Sequence, residues 1–360
     1  MKITNEQLFL RQTTLVEIGK SGQKLLQSAK VLVIGCGGLG SPVAVYLASS
    51  GIGSIHLVDF DVVSASNLHR QVFYSMDDIG KYKAEILCKF LQQRAPFTEV
   101  SFSNQAVDKN NIIDLIAEFD IIVDGTDNLG VKYLINDACV LVKKPLVYGS
   151  LYKFDGYVSS FNILKDDGSY SCNLRDAFPK MATDIPNCEE AGTLNPIVGT
   201  IALLQVNEVI KFITKTGIML ADQLLIYNTL ENSHFKIKLK KNESIHVESI
   251  FKESTYLIDP CATQNSSLLI SANELREKLK LNEAIIVSVI NNVETEIPFR
   301  VNQKEPLSTF DIEEFDVDLN KEYIIVCNRG ITSYDVTLKL KEKYPELAVL
   351  SLSEGINNYH

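Results

Sequence analysis

The 360-residue sequence has no pair of cysteines spaced as C-x-x-C, and its seven cysteines are scattered along the chain. An odd, scattered set argues against a disulfide framework, and the missing pairs argue against a closed cysteine-rich zinc site. The sequence also lacks a basic surplus, because its formal net charge is −10, whereas phosphate binding requires a basic face. We therefore expect no disulfide scaffold and no nucleic-acid partner.

Long apolar runs are absent as well. The longest candidate, residues 197–213, is interrupted by Asn207, Glu208 and Lys211, and no run reaches the roughly 18 apolar residues of a membrane span. The first residues, MKITNEQLFLRQ, lack the apolar core of a signal peptide. These features predict a cytoplasmic protein with no membrane partner.

The composition is that of a globular protein, with 46% apolar and 22% charged residues, and the length fits about two domains. Between residues 30 and 150, short apolar runs alternate with longer amphipathic segments such as residues 81–94. Such alternation predicts a mostly parallel sheet with helices on both faces, and ligands of these sheets bind at the carboxyl ends of the strands. The short runs predict strands at residues 31–34, 55–58, 100–102, 121–123 and 146–148.

The pattern changes after residue 150. Residues 152–164 have the pattern of antiparallel strands, residues 165–195 form a polar loop, and a helix is predicted from Pro196, since proline favours a first helical turn. Two further strands fit residues 223–227 and 235–239. The predicted organisation is a first domain at 1–240, a linker at 241–266 and a smaller α/β domain at 267–360.

A glycine-rich stretch, GCGGLG at residues 35–40, follows the first predicted strand and precedes a helix. In this context glycines let the backbone approach a phosphate, while the helix N-terminus supplies N–H donors. Asp59 lies about 20 residues further on, where such folds place an acid that binds the ribose. These features predict a nucleotide site, NAD or ATP, with its phosphates at Gly35, Gly37, Gly38 and Gly40.

Charged residues beside the glycine turn favour ATP. Arg70 in SNLHRQ and Lys83 in GKYKAE add positive charge at the strand ends, which a triphosphate requires and a dinucleotide already held by the glycine turn does not. Asp127, in DGTDN after the fourth predicted strand, is a candidate ligand for Mg²⁺, which prefers oxygen ligands and bridging phosphates. The sequence therefore predicts a Mg²⁺–ATP site. The alternative is an NAD-dependent oxidoreductase, if only the glycines and Asp59 are considered.

These motifs, in this order, resemble the ThiF/MoeB/HesA family, the bacterial relatives of ubiquitin-activating enzymes. The resemblance rests on GCGGLGSPVAVYLASSGIG, LVDFD, SNLHRQ, GKYKAE and DGTDN, and it covers residues 5–240. Residues after 265 resemble a rhodanese domain. The resemblance implies a Rossmann-like adenylyltransferase domain, with an antiparallel extension of its sheet, followed by a smaller rhodanese-like α/β domain.

The resemblance also assigns roles to individual residues. It implies that Gly38 approaches the phosphates, that Asp59 binds the ribose and that Lys83 contacts phosphate. It implies that Asp127 lies at Mg²⁺ and the α-phosphate, and that Arg11 is donated across the interface of a homodimer. The further residues expected to line the nucleotide are Asp61, Ser66, Asn67, Arg70, Gln71 and Asn128.

A reaction and a substrate follow from the same resemblance. Members of the family use ATP and Mg²⁺ to adenylate the C-terminal Gly-Gly tail of a small ubiquitin-like sulfur carrier, such as those of molybdopterin or thiamine synthesis. An α-carboxyl group has a reference pKa of about 3.5, so the tail is already ionised and needs no general base. The barrier lies in bringing this carboxylate to an anionic phosphate, and Arg11, Arg70 and Lys83 would offset that repulsion. A non-catalytic scaffold that binds the carrier is an alternative of another class.

Two cysteines of the first domain are candidates for chemistry or metal binding. Cys188, in the polar loop PNCEEAGTLNP, matches a family nucleophile that attacks the acyl adenylate, although some relatives pass the adenylate to an external sulfur donor. Cys172 is the one cysteine left where many relatives carry two zinc-binding C-x-x-C pairs, and residues 241–246 contain none. With three of four ligands missing, we expect no structural zinc.

A further cysteine, Cys327, begins the sequence CNRGITS between a predicted strand at residues 323–326 and a predicted helix. This resembles the active loop of rhodaneses, in which backbone N–H groups and the helix dipole lower the thiol pKa and stabilise a persulfide. Asn328 and Thr332 stand where the usual loop has arginines. The domain is therefore expected to be either a sulfur donor, loaded by a persulfide donor such as a cysteine desulfurase, or a binding module.

Overall fold

A computed structural model of the chain describes residues 3–181, 192–256, 266–281, 284–313, 315–328 and 330–359. The chain divides into two compact units, Met1–Tyr256 and Leu257–His360. The division falls inside the segment predicted to be a linker, so that the first part of this segment belongs to unit 1.

Unit 1 is built on an eight-stranded sheet. The first five strands pair in parallel and the last three are antiparallel, which confirms the predicted mostly parallel sheet with an antiparallel extension. The order across the sheet is β3-β2-β1-β4-β5-β6-β7-β8. The strands are β1 Lys30–Ile34, β2 Ser54–Val58, β3 Glu99–Ser103, β4 Ile121–Asp124, β5 Leu146–Tyr152, β6 Asp155–Phe161, β7 Gln223–Asn228 and β8 Ser233–Lys238.

Helices cover both faces of this sheet. Alternate side chains of a strand point to opposite faces, so Val33 of β1 belongs to one hydrophobic core and Leu32 to the other. The helices are α1 Asn5–Leu8, α2 Leu10–Thr13, α3 Gly19–Ser28, α4 Gly40–Ser49, α5 Lys83–Gln92, α6 Ile112–Ala117, α7 Leu129–Leu141, α8 Leu174–Ala177, α9 Asn195–Thr214 and α10 Val247–Glu253. Short 3-10 turns lie at Ala65–Asn67 and Met76–Asp78.

The helix α9 begins at Asn195, one residue before the predicted start, with Pro196 in its first turn. Its length and hydropathy would suit a membrane span, but 56% of its most apolar 18-residue stretch is buried inside unit 1. Its buried residues, such as Ile201 and Val209, join the same core as α4. In this protein α9 is therefore a core helix.

Two elements lie where the sequence predicted irregular chain. The helix α8 interrupts the predicted loop 165–195, because Asn173 caps its N-terminus and the Asp176 carboxylate accepts from the Asn173 backbone N–H at 2.8 Å. The helix α10 lies within the predicted linker 241–266. Just after it, Tyr256 is buried in unit 1 and its hydroxyl donates to Asp137 at 2.6 Å. A local capping box thus forms α8 within the predicted loop, whereas the segment after α10 is fixed by a tertiary contact that local sequence does not reveal.

Unit 2 is a smaller α/β unit with a five-stranded sheet in the order β11-β10-β12-β13-β9, whose paired strands all run parallel. Its central strand β12 leads directly into Cys327 and then into α12, which confirms the predicted strand–loop–helix arrangement. Its elements are a 3-10 turn Ser266–Leu268, β9 Leu269–Ile270, α11 Ala272–Leu281, β10 Ala284–Ser288, β11 Gln303–Lys304, β12 Glu322–Val326, α12 Ile331–Lys343, β13 Ala348–Leu352 and a 3-10 turn Ile356–Asn358.

Candidate active site

The carboxyl ends of three neighbouring strands of unit 1 lie side by side. Ile34, the last residue of β1, pairs with Val58 of β2 and with Asp124 of β4. The glycine turn after β1 therefore lies between the chain that leaves β2 and the chain that leaves β4. This is the edge at which parallel sheets bind ligands.

The glycine turn is packed backbone against backbone. Gly35 has a φ of +89°, which favours glycine, and a Cβ there would lie 2.7 Å from the carbonyl carbon of Gly125, just after β4. A Cβ on Gly40, the first residue of α4, would overlap the carbonyl oxygen of Gly35. A Cβ on Gly38 would lie 2.8 Å from a side-chain carbon of Val198. The turn is therefore closely packed at Gly35, Gly38 and Gly40, and the binding of phosphate by these glycines stays a prediction.

Asp59 is fixed against this turn. Its two carboxylate oxygens accept from the backbone N–H of Cys36 at 2.6 Å and of Asp61 at 2.8 Å. Burial raises the pKa of Asp59, while these two N–H groups and the Lys83 ammonium oppose that shift. A carboxylate oxygen can accept more than one hydrogen bond, so the acid predicted to bind a ribose retains acceptor capacity.

The SNLHRQ segment presents polar side chains beside the same turn. Arg70 donates from Nη2 to the Asn67 side-chain oxygen at 2.8 Å and from Nη1 to the Ser66 carbonyl at 3.4 Å. Gln71 is buried, and a Cβ on Gly37 would lie 3.4 Å from its Nε2. The Oε1 of Gln71 is buried and has no hydrogen-bond partner among the described residues. Leaving such an acceptor unpaired costs about 1–3 kcal/mol, so a ligand donor would fit here.

Lys83, the first residue of α5, is a buried cation at this edge. Only 4% of its surface is exposed, and its Nζ donates to the Asp61 carboxylate at 2.9 Å. Asp61 is half exposed and is one of the residues predicted to line the nucleotide. The predicted phosphate-binding lysine therefore has a carboxylate partner with which a phosphate would compete.

The segment after β4 supplies the remaining predicted residues. Asp127 is exposed, and its side chain forms no hydrogen bond or ion pair with the residues that the structure describes. Asn128 caps α7 by accepting from the Val131 N–H at 3.1 Å. The described residues contain no cluster of three or more His, Cys, Asp or Glu side chains that could hold a metal. One free carboxylate nevertheless fits Mg²⁺, which is bound through one or two carboxylates together with substrate phosphates and water.

Sequence analysis missed two residues that shape this edge. Tyr74 donates its buried hydroxyl to the Cys36 carbonyl at 2.6 Å and so holds the glycine turn. Lys132 is 2% exposed and pairs with Asp124 at 3.0 Å. The signal for Lys132 was a single cation in the apolar helix sequence LGVKYLINDACVL.

Arg11 is separated from the other predicted site residues within one chain. It lies on α2, is exposed, and its side chain has no ion pair or hydrogen bond within the described part of the chain. Its neighbour Gln12 donates to the Ser50 carbonyl at 3.0 Å, at the C-terminal end of α4. The glycine turn lies at the other end of α4, about 15 Å away for a helix of 10 residues.

The two candidate cysteines of unit 1 differ in what the structure shows. Cys188 lies outside the described residues. Cys172 is buried, its N–H donates to Asp222 at 2.7 Å, and burial together with the Asp222 carboxylate raises its pKa to about 12. The segment that contains Cys172 is joined to the segment around Asn242 by a hydrogen bond, in which the Asn242 N–H donates to Asp176 at 2.8 Å.

In unit 2 the Cys327 sulfur is surrounded by donors. The backbone N–H groups of Gly330 and Ser333 point to Sγ at 3.1 Å and 3.3 Å, and the Ser333 hydroxyl lies 3.3 Å from Sγ. Ser351 on β13 donates its hydroxyl to Ser333 at 2.8 Å. None of these donors is Asn328 or Thr332, which occupy the positions of the arginines in the usual rhodanese loop.

The sequence profile of the ThiF family matches residues 9–247. The chain is 41% identical over 238 residues to the probable adenylyltransferase/sulfurtransferase MoeZ of Mycobacterium tuberculosis, covering 66% of this chain and 60% of MoeZ. It is 38% identical over 246 residues to the sulfur carrier protein adenylyltransferase of Thermus thermophilus, covering 67% of this chain and 91% of that protein. It is 32% identical over 381 residues to the adenylyltransferase and sulfurtransferase MOCS3 of Drosophila yakuba, covering 99% of this chain and 83% of that protein.

Among solved structures, E. coli MccB crystallised with ATP is similar to this chain, with a TM-score of 0.56 and 26% sequence identity. The similarity covers 63% of this chain and 68% of MccB. All the nucleotide-site residues described above lie within the range matched by the family profile.

Proposed function

Because the chain belongs to the ThiF family, we propose that it uses ATP and Mg²⁺ to adenylate the C-terminal Gly-Gly carboxylate of a ubiquitin-like sulfur carrier. One observation supports this proposal: the glycine turn, Asp59 and Asp127 follow the carboxyl ends of the neighbouring strands β1, β2 and β4, and Lys83 binds Asp61 in the chain that leaves β2. The names of the relatives, which are adenylyltransferases and in one case act on a sulfur carrier protein, support the same reaction. We place the reaction in the cytoplasm.

The proposed reaction joins two anions. An oxygen of the tail carboxylate forms a bond to the α-phosphorus of ATP, and the bond from that phosphorus to the bridging oxygen of the pyrophosphate breaks. Lys83 and Arg70 neutralise phosphate charge, and Asp59 holds the ribose. Asp127 would hold Mg²⁺, which would supply further neutralisation of phosphate charge, and alignment of the two reactants lowers the barrier further.

ATP–pyrophosphate exchange tests this proposal. We expect exchange to require Mg²⁺ and a carrier that ends in Gly-Gly, because the tail carboxylate is the acceptor. The same carrier lacking its last two glycines is the control and is expected to give no exchange. The proposal would be contradicted if exchange did not depend on the carrier. It would also be contradicted if no Gly-Gly carrier of molybdopterin or thiamine synthesis supported exchange.

We further propose a homodimer in which Arg11 completes the site of the neighbouring subunit. The exposed position of Arg11, at the far end of α4 from the glycine turn, supports this arrangement. An equal mixture of Arg11→Ala and Lys83→Met chains is then expected to recover about a quarter of wild-type exchange, since half the dimers are mixed and each has one intact site.

The control for this mixing experiment pairs Arg11→Ala with the double variant Arg11→Ala/Lys83→Met. No dimer in that mixture has an intact site, so no recovery is expected. Equal activity in the two mixtures, with subunit exchange shown by mass spectrometry, would rule out shared sites.

For unit 2 we propose that Cys327 carries a persulfide. The donors around its sulfur support an anionic sulfur species, and the full-length similarity to an adenylyltransferase and sulfurtransferase includes this unit. With thiosulfate as donor, the Cys327 thiolate forms an S–S bond to the outer sulfur, and sulfite leaves with the electron pair of the broken bond.

Cys327→Ala is therefore expected to lose the mass increase of one sulfur atom and the release of sulfite, while exchange by unit 1 continues at the wild-type rate. Intact-mass spectra measure the first effect. Cys88→Ala, which removes a buried thiol of unit 1, is the control and should retain the added sulfur. A persulfide that persists in Cys327→Ala would show that another cysteine carries the sulfur.

A further inference from the structure

The mechanism above does not use a buried ion pair at Asp124, which lies three residues before the proposed metal ligand Asp127. Asp124, the last residue of β4, is fully buried, and Lys132 on α7 is 2% exposed. Lys132 Nζ donates to Asp124 Oδ2 at 3.0 Å and to the Gly149 carbonyl of β5 at 2.6 Å. This pair therefore connects β4, α7 and β5.

The other oxygen of Asp124 holds the chain that leads to Asp127. Asp124 Oδ1 accepts from the Thr126 N–H at 3.0 Å and from the Thr126 hydroxyl at 2.7 Å. Gly125 lies between Asp124 and Thr126 in the sequence, and its backbone packs against the glycine turn at Gly35. A single carboxylate thus sets the backbone path from the glycine turn to the residue before Asp127.

Stability alone does not account for a pair of this kind. Two charges lose their hydration when they are buried, and replacing such a pair with apolar residues is often neutral or stabilising. What the pair does supply is one fixed orientation of the Asp124 carboxylate, because Lys132 engages Oδ2 while Thr126 engages Oδ1. The arrangement resembles a second layer around a metal ligand, in which partners that do not touch the metal orient the group that does.

We propose that Lys132 is a positioning residue for Mg²⁺ binding, acting through Asp124 and Thr126 on the carboxylate of Asp127. This inference rests on the proposed function, since it requires that Asp127 binds the metal. It assigns Lys132 no contact with ATP or Mg²⁺.

Lys132→Met tests the inference without relying on turnover. Calorimetry with a non-hydrolysable ATP analogue gives the Mg²⁺ concentration for half-maximal nucleotide binding. We expect Lys132→Met to raise this concentration about tenfold, the lower end of the effect of losing an outer-layer partner, and to leave Mg²⁺-free nucleotide binding unchanged. Lys144→Met is the control, because Lys144 also binds a carbonyl, that of Phe119 at 2.6 Å, but lies beyond the opposite end of α7.

A double-mutant cycle with Thr126→Val distinguishes positioning from general loss of stability. Lys132 and Thr126 both bind Asp124, so the double variant is expected to shift the Mg²⁺ requirement no more than the larger single effect. The inference would be overturned if the two single shifts in Mg²⁺ requirement multiplied in the double variant. It would also be overturned if Lys132→Met had the wild-type Mg²⁺ requirement, or if Lys144→Met shifted that requirement equally. Wild-type nucleotide binding that ignores Mg²⁺ would instead contradict the proposed function itself.

Discussion

Replacing Lys83 with methionine is expected to lower carrier-dependent ATP–pyrophosphate exchange by about a hundredfold or more, the effect of removing one preorganised donor from a transition state. Lys83 is the buried cation among the residues predicted to contact phosphate, and burial strengthens such an interaction. Methionine retains most of the side-chain volume, so the loss reports on charge rather than on packing.

Lys81→Met is the matched control for this experiment. Lys81 lies two positions before Lys83 in the same motif, but its side chain is 55% exposed and pairs with Asp78 at 3.7 Å. We expect its exchange rate to remain near the wild-type value. If both variants lost exchange equally, general charge around the strand ends, and not Lys83, would be responsible.

Breaking the Asp137–Arg175 pair is expected to destabilise unit 1 by about 3–5 kcal/mol, the cost of leaving a buried charge without its partner. Arg175 donates from Nε and Nη2 to the two oxygens of Asp137 at 2.7–3.0 Å, and Asp137 is fully buried. The Tyr256 hydroxyl donates to the same carboxylate at 2.6 Å. Arg175→Met leaves this carboxylate with too few donors.

Amide hydrogen exchange of α7 peptides measures this loss in unit 1 separately from unit 2. Lys252→Ala is the control, because Lys252 and its partner Glu248 are both exposed. Removing this pair should not change amide hydrogen exchange. Adding Asp137→Leu to Arg175→Met is expected to restore much of the protection, since no buried charge remains. Protection that stays at the wild-type level in Arg175→Met would show that the pair does not stabilise the unit.

The sequence was sufficient to predict the sheet because its strands carry strong local signals. β1 reads KVLVI and is buried on both faces, and the predicted start and end of β2 and β4 differ from the observed ones by at most one residue. The motifs also correctly indicated that Asp59 and Asp127 follow two strands of one sheet, β2 and β4, which both pair with β1. In a parallel sheet the carboxyl ends of the strands share one edge, so spacing along the chain gives proximity in space.

Pairings between side chains distant in sequence could not be predicted. Lys83 and Asp61 are both predicted site residues, yet nothing in either motif indicates that they bind each other. The same holds for Arg175 and Asp137, and for Tyr256, whose contact with Asp137 extends unit 1 into the predicted linker. Such contacts depend on how two elements pack, and a single sequence does not encode that packing in any local pattern.

The contact between Gly35, Gly40 and Gly125 has a consequence for how this protein can change over generations. In most cores, a larger residue at one position can be accommodated by a smaller one opposite it. Here a Cβ on Gly40 or Gly125 would meet the Gly35 backbone, and a Cβ on Gly35 would meet that of Gly125. Since no residue is smaller than glycine, no second mutation within this trio can compensate for the first. All three codons, the last of them far along the gene from the other two, are therefore expected to remain glycine codons.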